Sequence, residues 1–149
     1  MASQDCKRNA WQYSGGAGVS NTRIATGPGF RICFDDEPGY LRAYVFDGTD
    51  SKDVSIAMWR MIAAECNAVQ ATRLLVLEDL LSTVDVPDIE AVIDSLVEAG
   101  LDKVRMAFVE LRDDIQGSEF AEIMCHERGL TLRILSNETE ARRWLVYGS

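Results

Sequence analysis

Histidine, proline and closely spaced cysteines are all scarce in this sequence. His126 is the only histidine, so a zinc site would need several distant cysteines to converge on it. The four cysteines, Cys6, Cys33, Cys66 and Cys125, form no C-x-x-C pair. Three of them lie in apolar periodic segments, where a free thiol behaves as a small hydrophobe, and a reducing compartment is expected. No apolar run approaches the roughly 18 to 20 residues that cross a bilayer, and Met1–Trp11 lacks the apolar core of a signal peptide. The expectation is a cytoplasmic protein with no membrane span. Only three prolines interrupt 149 residues. Collagen-like, disordered and disulfide-stapled classes are therefore excluded.

Positive charge is also in deficit. Fifteen lysines and arginines face 24 acidic residues, a net charge of −9. Residues 1–30 carry +2, so residues 31–149 carry −11. A body that acidic repels phosphate backbones, and nucleic acid is not an expected partner. Apolar residues make up 47% and charged residues 26%, which is enough apolar chain for one packed core.

The first 28 residues are rich in glycine, serine and asparagine without periodicity, and read as a flexible leader, with Trp11 and Tyr13 as its only anchors. Residues 29–149 form the expected domain. Phe30, Ile32 and Phe34 alternate with Arg31, Cys33 and Asp35 as in a half-buried strand. Pro38-Gly39 suits the centre of a type II turn, and Leu41–Phe46 returns as a second strand. Polar residues Thr49, Asp50 and Ser51 then precede a helix over Lys52–Val69. Leu74–Asp79 opens on an unbroken apolar run, the pattern of a strand covered on both faces. A helix starting near Pro87 and ending at Gly100 carries Ile89, Val92, Ile93, Leu96 and Val97 on one face. Val104–Leu111 and Leu130–Leu135 read as strands. Gly117–Glu127 reads as a helix with Phe120, Ile123 and Met124 inward, and Thr139–Tyr147 as a last helix. The fold class is α/β: a single-layer mixed sheet of five strands, an N-terminal β-hairpin followed by β-α units in the order ββαβαβαβα.

The helix over Lys52–Val69 is apolar on two sides. Val54, Ala57, Met58, Met61 and Ile62 form the main stripe, and Ile56, Trp59, Ala63 and Cys66 gather nearly opposite. Such a helix is either sandwiched or offers one face to a partner. The second face is expected to meet another protein or another copy of this chain, with the leader as a competing cover.

Glu140-Ala141-Arg142-Arg143-Trp144-Leu145, together with Leu41–Gly48, the buried strand Leu74–Asp79 and the element order, resembles the STAS superfamily, in particular its SpoIIAA-like branch, over residues 30–147. The resemblance implies a small mixed sheet with helices packed on it, no catalytic machinery and no cofactor. In the anti-sigma-factor antagonists of this family, an Asp-Ser-Ser-Gly sequence opens the helix after the buried strand and is phosphorylated. Here Val86 and Pro87 stand where the serines would be, so that switch is chemically impossible. Ser82 and Thr83 lie just upstream, but such hydroxyls mostly form turns, and a phosphate there would meet Asp79 and Asp85.

Catalytic chemistry finds little support. Neighbours on a helix point about 100° apart, so Cys125 and His126 form no dyad with each other. Cys125, off the inward stripe, is expected to be partly exposed, and Gly15-Gly16-Ala17-Gly18 lacks the context of a phosphate loop. The carboxyl ends of the parallel strands are where α/β sheets usually bind ligands. Glu78, Asp79, Glu110, Asp113 and Asp114 gather there and could hold a small molecule or a divalent cation. The first expectation is a non-enzymatic regulatory domain that binds a protein partner or itself. The alternative is a ligand or metal site, or a minor enzyme, on that acidic edge.

Overall fold

The computed structural model describes residues 22–112 and 115–148. Six strands form one sheet in chain order: β1 (Arg23–Gly27), β2 (Phe30–Glu37), β3 (Tyr40–Thr49), β4 (Arg73–Leu81), β5 (Arg105–Glu110) and β6 (Thr131–Ile134). β1, β2 and β3 pair antiparallel, whereas β3–β4, β4–β5 and β5–β6 are parallel. Four helices connect or follow them: α1 (Lys52–Val69), α2 (Val86–Glu98), α3 (Ile115–Glu127) and α4 (Glu138–Tyr147).

The topology dictates the layers. Each parallel crossover steps one strand further in the same direction, and right-handed crossovers of that kind place α1, α2 and α3 on one face. The core on that face joins Ile32, Phe34, Val45, Leu74 and Val76 of the sheet to Met58, Ile62, Ile93 and Met124 of the three helices. After β6 the chain turns back beneath the sheet. Ala141, Trp144 and Leu145 of α4 pack there on Leu75, Leu77, Ala107 and Val109.

The sheet has six strands rather than five, because β1 lies inside what reads as leader. Its sequence, RIATG, is short and at most half-buried, so it carries no core alternation. Its turn was nevertheless readable: Pro28-Gly29 repeats the Pro38-Gly39 device ten residues earlier. Gly29 and Gly39 both take positive φ, 90° and 89°, as the third residue of a type II turn requires. Residues 1–21, including Cys6, Trp11 and Tyr13, lie outside the described residues.

The doubly apolar α1 is sandwiched. α2 packs against it, and residues of both its stripes join one core cluster. Trp59, Ala63 and Cys66 are 5%, 8% and 3% exposed and Ile56 is half-buried, so this is not a free partner face. The Trp59 ring lies 6.0 Å from that of Phe108 on β5. α3 is rotated relative to its apparent stripe. Phe120 and Ile123 are exposed, while Cys125 is 2% exposed and Met124 buried. The inward line is Gly117, Ala121 and Cys125, at spacings of four, and these small residues face the space between α3, α2 and the sheet.

Candidate functional site

Strand alternation divides the acidic edge in two. Leu74, Val76 and Leu80 of β4 face the α1–α3 layer, and Glu78 belongs to the same column. Glu110 stands beside it in register on β5. Asp79 points to the opposite face, where it accepts hydrogen bonds from the Tyr44 hydroxyl (2.7 Å) and Arg112 Nε (3.0 Å). It therefore does not join Glu78 and Glu110. Asp113 and Asp114 lie outside the described residues.

The third member of the cluster is Asp50, just after β3. Its residue type suggested helix capping, but Ser51 is the N-cap, accepting a hydrogen bond from the Val54 amide at 3.2 Å. The Asp50 amide donates to the Leu81 carbonyl at 2.7 Å, holding the loop against the end of β4. Its Oδ1 accepts from the Ser51 amide (2.8 Å) and from the Ser55 hydroxyl (2.7 Å). Asp50 and Glu78 are 7% and 3% exposed, and the carboxyls of Asp50 and Glu110 lie beside that of Glu78. Glu110 Oε1 also accepts from the Arg112 amide at 3.1 Å. Burial first, and then the neighbouring Asp50 and Glu110, push Glu78 well above the usual carboxylate range. A carboxyl of this kind keeps its proton, and with it a hydrogen-bond donor, to higher pH than an ordinary glutamate does.

These groups form the polar corner of a cavity of about 110 Å³ between the sheet and the three helices. Its walls are apolar, with Trp59, Phe108, Val92, Leu96, Ala121 and Leu132 among them. That is the scale of the ~150 Å³ engineered cavity that takes benzene. Leu81, Val86, Leu111 and Phe120 are 54%, 48%, 45% and 38% exposed. They occupy the end of β4, the start of α2, the position just after β5 and the second turn of α3, giving the carboxyl edge an apolar rim.

Nucleophilic chemistry is not prepared here. The Cys125 thiol lines the cavity, but burial and then nearby Glu122 push it up to about 12, so it stays protonated. His126 is exposed, apart from its buried neighbour. Cys66 is likewise raised to about 12 by burial and then Glu65. Cys33 is disulfide-bonded and wholly buried, contrary to the expectation of free thiols throughout. Ser82 is exposed in the loop after β4 with φ of 63°, and Thr83 lines the cavity. Val86 and Pro87 begin α2. Among the described residues no three His, Cys, Asp or Glu side chains are arranged to hold a metal ion, and no helix is long and apolar enough to cross a membrane.

No protein-family model and no curated protein matches this sequence. Among solved structures, the MdcD-MdcE hetero-dimer of Pseudomonas malonate decarboxylase is similar at 16% identity and a TM-score of 0.38, over 93% of this chain and 85% of that one.

Proposed function

We propose that this domain is a non-enzymatic binder of a small, largely apolar molecule, held in the cavity at the carboxyl ends of β4 and β5 with Asp50, Glu78 and Glu110 as its polar anchor. The observation that carries the reading is Glu78, an acid placed in an otherwise apolar strand face and opening on a cavity. Burying carboxyls is costly unless they are paired, and a sequence breaks local packing rules of this kind mainly at functional sites. The apolar walls supply affinity, while a few convergent polar groups supply orientation.

The test is a titration of the ¹⁵N-labelled chain with small aromatic and aliphatic molecules, read from amide shifts. Shifts at Ser55, Ala121 and Leu132 that disappear in Ala121→Leu, with no loss of melting temperature, are expected. Shifts confined to the exterior of α3, or none, overturn the reading.

A second reading keeps the domain as a cytoplasmic, STAS-like regulatory module that binds a protein or its own copy. Its support has moved from α1 to the exposed Phe120 and Ile123 on α3. Light scattering of Phe120→Glu/Ile123→Glu against wild type tests self-association through this face. An unchanged monomer signal in both chains removes self-association.

A further inference from the structure

We infer that the cavity selects a small organic cation, an alkyl- or arylammonium, over neutral or anionic molecules of the same shape. The inference rests on the cavity-binding proposal and names the ligand class.

Three features converge. An ammonium has three N–H donors and no acceptor, and the polar corner presents the carboxyl oxygens of Asp50 and Glu110 on either side of the proton-holding Glu78. The rest of the wall includes Trp59 and Phe108, and a ring face attracts a cation through its quadrupole. Among the described residues, the lining contains no lysine, arginine or histidine. Among the described residues, no wall of the cavity contributes a positive charge. The loop after β3 gives Asp50, β4 gives Glu78 and β5 gives Glu110, while α1, α2 and β6 contribute no ionisable side chain and α3 only the protonated Cys125.

A metal ion suits this corner less well. Calcium needs six to eight oxygens and magnesium a near-octahedral shell, whereas most of this wall is hydrocarbon. An ammonium on an apolar body satisfies both halves of the cavity at once. Charge-assisted hydrogen bonds are roughly twice as strong as neutral ones, so the ammonium outcompetes an alcohol of equal shape. A carboxylate is repelled.

Calorimetry and amide shifts on the full chain, with benzylamine, benzyl alcohol and benzoate as matched probes, test this. Benzylamine is expected to bind about tenfold tighter than benzyl alcohol, and benzoate most weakly. In Asp50→Asn and in Glu110→Gln, each checked for an unchanged circular dichroism spectrum, the ratio of benzylamine to benzyl alcohol affinity falls. Equal affinity for amine and alcohol, or a preference unaltered by both substitutions, overturns the cation inference and leaves the cavity reading standing. Displacement of benzylamine by millimolar Mg²⁺ or Ca²⁺ with the same amides shifting also overturns it, in favour of a metal. If no probe shifts the cavity amides, both fall.

Discussion

Glu78 concentrates the energetics of this molecule in one carboxyl. Its folded form keeps its proton to higher pH than the unfolded chain does, so folding takes up a proton between the two values. Stability therefore falls as pH rises through that window, by up to ~1.4 kcal/mol per pH unit. Glutamine cannot ionise, and in Glu78→Gln this loss is absent. The variant is predicted to melt close to wild type near pH 4 and above it at pH 8. A gap that does not change with pH contradicts the assignment. The two described free thiols behave as buried hydrophobes. Cys66 and Cys125, both raised to about 12, are predicted to resist alkylation at pH 8 in native buffer and to react once the chain is unfolded. Labelling of either in the native state at the rate of a free thiol would contradict that.

At the scale of elements, α1 and α4 each depend on one local device. α1 ends at Gln70, a non-glycine residue in the left-handed region at φ 56°, whose amide donates to the Asn67 carbonyl at 3.3 Å. Glycine has no Cβ to strain there, so Gln70→Gly is predicted to stabilise the fold by about 0.5 to 1 kcal/mol, measured by urea titration. A loss of stability contradicts this. α4 is tied to the sheet by Arg42, 2% exposed, whose guanidinium reaches Glu138 through Nε (2.7 Å) and Nη2 (3.1 Å) and Asp35 at 3.5 Å. Asp35 is wholly buried. Arg42→Met removes the guanidinium that links this buried acid to α4, and a cost of about 3 kcal/mol is predicted from denaturant midpoints. A change below 1 kcal/mol would mean that the bridge is peripheral.

At the scale of the whole molecule, the parts that sequence made legible are those where side-chain size and periodicity agree. The helix expected over about Lys52 to Val69 is there, with Ser51 as its cap and apolar positions recurring on both sides. The buried β4 follows from Leu74–Leu77. What stayed hidden depends on contacts between distant segments. β1 owes its place to pairing with β2 and not to its own five residues. α3 turns its small residues toward α2 and the cavity, an orientation that its own apolar stripe does not report. The site was half legible: Glu78 and Glu110 could be placed at the carboxyl edge, but Asp79 left the cluster by strand alternation. Asp50 entered it from a loop 28 residues upstream of Glu78, and that convergence is tertiary.

The central claim is that a carboxyl raised above its ordinary range anchors the cavity, and ¹³C NMR of the Glu78 side-chain carboxyl, titrated from pH 4 to pH 8, tests it most directly. The account predicts a midpoint well above the ~4.3 of a free glutamate. A midpoint at or below that value would contradict it.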